Sequence, residues 1–270
     1  MSHRPNPAPA PDDVVWQLPG PAARQRCSLL VLPHAGGNAH GYADWRERLP
    51  DDVRLLIGQY PGRGARFSEE LPACLDDLAA PVVAALPADA DELVVLGHSM
   101  GSLVAFEVTR MLAAAGRTPR ELIVSACRAP YLENPSVVLP ERLSDDELVA
   151  AIKERGGTDN GILDEPELRE IVLPSIRADF AIDDVYRFTG ELPAVPCPVT
   201  VLGGETDPVA PPEMLTGWSR VTTGRVDREH FPGGHFYFQK QPDPFFAKVN
   251  TVLAAAAAGQ APQPVSPSAA

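Results

Sequence analysis

Apolar blocks of four to six residues recur along the chain, each closed by glycine, proline or a small polar residue. They are Ser28-Leu29-Leu30-Val31-Leu32, Val53-Arg54-Leu55-Leu56-Ile57-Gly58, Leu93-Val94-Val95-Leu96, Glu121-Leu122-Ile123-Val124-Ser125-Ala126, Pro198-Val199-Thr200-Val201-Leu202-Gly203, and a last one near Arg225 to Phe231. Short apolar runs bounded by turn residues read as buried strands. Between them the spacing turns helical: Leu75, Leu78, Val82, Val83 and Leu86 share one face, as do Phe106, Val108, Met111 and Leu112 ahead of Gly116. A short helix around Gly41 to Arg48 and a last one holding Phe245, Phe246, Val249 and Val252 complete the pattern. Strands separated by helices predict an α/β fold with a mostly parallel central sheet and helices on both faces.

After Arg128 the alternation stops for about sixty residues. Ser144-x-x-Glu147 and Asp164-x-x-Glu167 have the form of capping boxes, the second with Pro166 in its first turn. A third helix is expected from Ser175 to Phe188, with Ile176, Phe180, Val185 and Tyr186 inward. This all-helical stretch, about 130–190, reads as a lid inserted above the sheet. Residues 1–13 and the Ala/Pro-rich tail 254–270 are expected to be disordered by composition, which leaves one domain, 14–253.

Composition narrows the partners more than the fold. The chain of 270 residues carries a formal net charge of −13 and a pI near 4.9, which argues against nucleic acid or an anionic membrane as partner. Residues 130–190 hold 14 acidic and 6 basic side chains, so most of that charge sits on the lid. No apolar run approaches the ~20 residues of a membrane span, and the first residues lack the apolar core of a signal peptide. Cys27, Cys74, Cys127 and Cys197 stand singly, as free thiols do in a reducing compartment, so a cytoplasmic location is expected.

The candidate chemistry lies at the strand ends, where open α/β sheets bind ligands. Gly97-His98-Ser99-Met100-Gly101 follows a strand and opens a helix, the arrangement of a nucleophile elbow. Such a turn drives the serine towards positive φ and lifts its hydroxyl clear of the sheet. Ser99 needs a base, and His235, after Gly233-Gly234 in another strand-end loop, is the best placed of six histidines. His98 should point away from the hydroxyl, and His34 reads as a hydrogen-bonder within its own loop. Asp207, in Thr206-Asp207-Pro208, is the expected acid, with Glu205 in reserve; Asp227 and Glu229 are expected to face solvent. The order Ser…Asp…His is that of triads in α/β-hydrolases. An oxyanion would be held by the backbone N–H of Met100 and of Ala35, with Gly36 the alternative to Ala35. The side chains of Met100 and Ala35 would shape the substrate pocket. No His/Cys/Asp cluster has metal-ligand spacing, so no metal is expected.

Three motifs together, Leu32-Pro33-His34-Ala35-Gly36-Gly37, Gln59-Tyr60-Pro61-Gly62-Arg63 and Gly97-His98-Ser99-Met100-Gly101, resemble the type II (editing) thioesterases of polyketide synthase and nonribosomal peptide synthetase systems. Arg177-Ala178-Asp179-Phe180, Gly203-Gly204-Glu205-Thr206-Asp207-Pro208 and Gly233-Gly234-His235-Phe236 fit the same family, so the resemblance spans roughly 28–250. It implies an α/β-hydrolase fold and a stand-alone enzyme that removes stalled acyl groups from the phosphopantetheine thiol of acyl or peptidyl carrier proteins. No cofactor is implied beyond the phosphopantetheine that the substrate brings. Carrier proteins of such systems are commonly acidic like the lid, so a local docking contact through Arg63 and Arg66, or an apolar one, is expected. A general carboxylesterase or lipase on the same scaffold is the alternative enzyme, and an inert hydrolase-fold binding protein the non-enzymatic one.

Overall fold

The computed structural model describes residues 14–134, 140–155 and 160–259. The segments 1–13 and 260–270, expected to be disordered, lie outside the described residues. In chain order the elements are β1 Val15–Leu18, β2 Cys27–Leu32, α1 His40–Ala43, β3 Val53–Gly58, α2 Asp76–Ala85, β4 Leu93–His98, α3 Met100–Ala114 and β5 Glu121–Ser125. There follow α4 Asp145–Arg155, α5 Asn160–Asp164, α6 Pro166–Val185, β6 Val199–Gly204, α7 Pro212–Leu215, β7 Val226–Phe231, α8 Tyr237–Lys240 and α9 Pro242–Ala257.

The seven strands form one sheet in the order β1-β3-β2-β4-β5-β6-β7, parallel throughout except for β1, which pairs antiparallel with β3. Strands β2, β4 and β6 are buried along their whole length, which is why they read as continuous apolar runs. Their side chains alternate between two cores. Leu30, Leu32 and Val95 face α2 and α3, whereas Leu29, Val31, Val94 and Leu96 face α9 and the Trp45 turn. The six strands expected from sequence are present; β1 is an addition. Its four residues, Val15-Trp16-Gln17-Leu18, are too few to show a period, and the edge strand is held by register (Val15↔Gly58, Leu18↔Leu55) rather than by pattern.

The lid has its own small core of Leu148, Val149, Ile152, Leu163, Leu173, Ile176 and Phe180. The first capping box is real: the Glu147 N–H donates to Ser144 Oγ (3.3 Å) and the Ser144 N–H to Glu147 Oε2 (2.8 Å). The second is not. Pro166 starts α6 at its first position, so Glu165 is the flanking residue and Asp164 falls one residue early, accepting instead from Lys153 Nζ at 2.5 Å. The separate helix expected from Ser175 is the second half of α6, which runs through Pro174 without ending. Val185 is 79% exposed rather than inward, because Ile182 and Tyr186 occupy the inward positions on either side of it. At the other end of the chain α9 continues to Ala257, past the Ala254 where a tail was expected, since alanine propagates a helix and Ala256 is buried.

Register aligns the functional ends. Leu32 pairs with Gly97, His98 with Ser125, Ser125 with Leu202 and Gly204 with Phe231, so the loops that follow β2, β4, β6 and β7 emerge at one edge beneath the lid.

Candidate active site

Ser99 stands between β4 and α3 with φ 56° and ψ −131°, a conformation costly for a residue with a Cβ. The surroundings over-determine it. Its N–H donates to Ser125 O at 2.8 Å, and Ser102 Oγ braces the turn within 2.8 Å of Gly97 O and 3.2 Å of Ser125 O. Glycine is required on both sides: a Cβ on Gly97 would meet Gly101 O at 2.1 Å, and one on Gly101 would meet Leu32 O at the same distance. The crossing of strand and helix thus depends on the absence of two side chains.

His235 Nε2 lies 2.9 Å from Ser99 Oγ, and His235 Nδ1 lies 2.9 Å from Asp207 Oδ2. The loops carrying these two partners meet because Gly204 has no Cβ to strike Gly234 O, which would lie 2.3 Å away, and Thr206 N–H donates across to Gly233 O at 3.0 Å. Asp207 is buried, and its other oxygen accepts the N–H groups of Val209 (2.8 Å) and Ala210 (3.1 Å). Burial alone would raise its pKa. The hydrogen bond and charge of His235, with the two backbone donors, outweigh burial and hold the carboxyl below its ordinary value. Asp207 therefore stays ionised. Glu205, the reserve, is exposed, and it is Asp207 that holds His235 Nδ1. Asp227 and Glu229 are half-buried rather than free in solvent, because Lys248 Nζ reaches them at 2.6 and 3.1 Å.

The other two imidazoles near the site are neutral. His98 points away from Ser99 and is buried, with Nδ1 2.9 Å from Ser125 Oγ. His34 Nδ1 is 2.7 Å from the Tyr42 hydroxyl, inside its own loop. Burial, then the neighbouring His235 and Arg63, push His34 down to about 3; burial, His235 and His34 hold His98 well below its ordinary value.

The glycine loop after β2 closes as a turn, with Gly37 N–H donating to His34 O at 2.8 Å and Gly36 at φ +77°, the requirement of a type II turn. Among the described residues the N–H groups of Ala35 and Met100 have no protein acceptor, whereas the Gly36 N–H donates to Asp179 Oδ2 at 2.7 Å. The alternative of Gly36 as oxyanion donor is therefore closed: its hydrogen is already taken.

Arg63 and Arg66 are not on the surface. They are 6% and 7% exposed, so the expected docking contact through them is incorrect. Arg63 Nη1 and Nη2 grip Asp179 Oδ2 (2.5 Å) and Oδ1 (2.8 Å), and Arg63 Nη1 also reaches Gly37 O at 3.2 Å. Arg66 donates to Gln59 O at 2.6 Å and to both oxygens of Glu69. Burial opposes the charge on Arg63, but Asp179 more than compensates and raises its pKa. The whole Gln59-Tyr60-Pro61-Gly62-Arg63 motif is a brace for the glycine loop, since Tyr60 also donates to Pro33 O (3.1 Å) and Gln59 accepts the Ala39 N–H (2.7 Å).

A family model described as a thioesterase domain matches residues 28–253, the span that contains all these loops. The chain belongs to the thioesterase family. Thioesterase PikA5 of Streptomyces venezuelae is 38% identical over 224 residues, covering 82% of this chain and 79% of PikA5. Among solved structures, RedJ, a thioesterase from the prodiginine biosynthetic pathway in Streptomyces coelicolor, is 34% identical with a TM-score of 0.78, covering 94% of this chain and 96% of RedJ. BorB, the type II thioesterase of the borrelidin biosynthetic cluster, is 32% identical with a TM-score of 0.75 and coverages of 90% and 97%. The expected α/β-hydrolase fold and thioesterase membership are thus both correct.

In this thioesterase two clefts flank Ser99 under the lid. One, a narrow cleft, is lined by His34, Ala35, Ser99, Ile152, Arg155, Phe180, Asp183, His235 and Phe236. The other, equally narrow, is lined by Ser99, Met100, Ala126, Cys127, Arg128, Asn134, Asp183, Val209 and Ala210. Asp183 belongs to both, and Arg128 Nη1 holds its Oδ1 at 2.9 Å. That Arg128–Asp183 pair, 55 residues apart, carried no local signal in the sequence. Among the described residues no group of His, Cys, Asp and Glu converges to hold a metal ion, and no helix is long and apolar enough to cross a membrane.

Proposed function

We propose that this thioesterase is an editing (type II) enzyme that hydrolyses acyl groups from the phosphopantetheine thiol of acyl or peptidyl carrier proteins in polyketide or nonribosomal peptide biosynthesis. The observation that carries the reading is the unbroken chain of contacts Ser99 Oγ–His235 Nε2 and His235 Nδ1–Asp207 Oδ2, each 2.9 Å, in a member of this family. Ser99 Oγ attacks the thioester carbonyl as His235 Nε2 takes its proton, and Asp207 steadies the resulting imidazolium. The oxyanion is received by the N–H groups of Met100 and Ala35. His235 then gives its proton to the departing thiolate, which leaves as the free thiol of the arm. Water, deprotonated by the same imidazole, attacks the acyl-Ser99 ester; His235 returns that proton to Ser99 Oγ as the C–O bond breaks, releasing the carboxylic acid and the free enzyme. Side chains and water suffice for this route, phosphopantetheine being part of the substrate. Met100 forms a wall of the second cleft, where it would touch the acyl group or the arm. The partner follows from the synthase pathways of the relatives, and the cytoplasm is where such a carrier would be met.

The test compares kcat/KM for acyl-carrier thioesters with that for p-nitrophenyl esters of the same acyl groups, with reactive Ser99 counted by a fluorophosphonate in a parallel sample of the same enzyme. Preference for the carrier thioester is expected; equal or better turnover of the simple ester would make the protein a general esterase instead.

A further inference from the structure

The Asp179 carboxylate, fully buried on lid helix α6, does two things at once. It accepts the Gly36 N–H at 2.7 Å, and both its oxygens are gripped by Arg63. Gly36 is the third residue of the turn whose second residue is Ala35. In a type II turn the peptide between these two residues is the one that can flip to the type I arrangement. An acceptor fixed on Gly36 N–H holds that plane, and with it the backbone direction on the far side of Ala35. Arg63 also holds the peptide that leaves the turn, through Gly37 O at 3.2 Å. Helix α6 also presses on the same turn by packing: a Cβ on Gly36 would lie 2.8 Å from Ile176 Cγ1, and the Ala35 side chain packs against the lid core.

We infer that Asp179 is a positioning residue that sets the oxyanion turn from the lid, so that the Ala35 N–H is aimed for the transition state only while α6 is seated and Asp179 is joined to Arg63. The inference rests on the proposed role of the Ala35 and Met100 N–H groups. It separates this acid from the other buried acid of α6, Asp183, which faces the clefts. It also gives a reason for a buried ion pair between residues 116 positions apart where an apolar contact would fill the space. Every acyl substrate builds the same oxyanion, so the effect of losing Asp179 is the same for carrier-bound and small thioesters. A lid that merely loosened would instead change the fit of acyl chain and arm, and so KM and selectivity.

The experiment measures kcat and KM of Asp179→Asn on an acyl-carrier thioester and on a small thioester, per active site titrated to completion with a fluorophosphonate. Asparagine keeps an acceptor for Gly36 but loses the ion pair that fixes it. The expected result is a fall in kcat of about 10²-fold on both substrates, towards the 10²–10³-fold loss seen when an oxyanion donor is removed, with KM within about twofold of wild type. Binding of a trifluoromethyl ketone, whose hemiketal oxyanion uses the hole, should weaken by the same factor as kcat. If Asp179→Asn does not fold, Arg63→Lys carries the test, since it keeps the charge but loses the fork; a smaller kcat effect of about tenfold, again without a KM change, is expected. A kcat per titrated site equal to wild type, or a loss confined to KM, overturns the inference while leaving the proposed function intact. A wild-type enzyme that the fluorophosphonate does not label overturns both.

Discussion

The carbonyl oxygen of Leu32 lies where a side chain on Gly101 would have to begin, 2.1 Å from the position of its Cβ, with Pro33 O at 2.5 Å. Both obstructing atoms are backbone at the end of β2, so neither can swing aside. This contact draws the N-terminus of α3, with the Met100 N–H, against the start of the loop that carries the Ala35 N–H. The second glycine of the pentad therefore sets the distance between the two proposed oxyanion donors as well as allowing the elbow to turn.

Gly101→Ala should consequently cost both stability and turnover. Forcing a methyl into a packed backbone contact typically destabilises by about 1–3 kcal/mol and sometimes more. The adjustment that relieves it must separate the two loops. A urea midpoint shifted downward together with at least a tenfold loss of kcat is expected on the scale of a weakened oxyanion site. Wild-type turnover at an unchanged midpoint would show that the close approach is not needed.

Replacing the proposed nucleophile and acid should separate chemistry from folding. Ser99→Ala removes the attacking atom while leaving the elbow's glycines and the Ser102 brace in place, so turnover should drop by roughly 10⁴-fold or more with the fold retained by circular dichroism. Asp207→Asn leaves the loop hydrogen bonds largely intact but presents His235 with the wrong partner, and roughly 10⁴-fold in kcat is the expected loss. Near-normal turnover of the first variant would remove Ser99 from the mechanism, and of the second would remove Asp207.

The two neutral imidazoles predict how stability responds to acid. His34 is held down to about 3 by burial, its neighbours adding to the effect, against an ordinary value of 6.5. Between those limits the unfolded chain binds a proton that the folded chain does not, so stability rises with pH and is lost as pH falls below about 6.5. His98, lowered in the same direction, adds to the slope. His34→Gln keeps a polar partner for Tyr42 but cannot titrate. Its unfolding free energy should therefore fall less steeply from pH 6 to pH 4, by up to about 1.4 kcal/mol per pH unit for the one proton removed. Parallel slopes for variant and wild type would mean that His34 is protonated in the folded state.

What the sequence disclosed and what it concealed divide along physical lines. Ser99, Asp207 and His235 were legible because each follows its own strand, and a parallel sheet delivers all strand ends to one edge. Their contacts follow from topology plus the glycines at 204, 233 and 234. Arg63 and Asp179 were misread or passed over because a charged residue carries no local mark of its burial. Only the fold brings together partners 116 residues apart. Likewise the helix expected to begin at Ser175 is the second half of α6, which runs through Pro174 because a helix anchored by Leu173, Ile176 and Phe180 in the lid core tolerates one missing donor. The β1 strand lacked any periodic signal in four residues and owes its place to the open edge of β3.

The two arginines once equivalent in the sequence should behave differently when removed. Arg63→Ala leaves the Asp179 carboxylate buried at 0% exposure with one N–H donor, and an orphaned buried charge of this kind costs about 3–5 kcal/mol. Arg66→Ala frees Glu69, whose side chain is 45% exposed, and costs Gln59 O one donor, so about 1 kcal/mol is expected. Chemical denaturation of the two variants checks the ordering. The double variant Arg63→Met/Asp179→Leu then separates stability from positioning. An apolar pair of similar volume often restores the stability lost with a buried ion pair, so its midpoint should recover most of the way towards wild type. Its turnover should not recover, because leucine offers the Gly36 N–H no acceptor and the oxyanion turn loses its anchor on the lid. Recovery of both together would mean that the pair serves only to fill and hold the core, and that the turn keeps its aim without it.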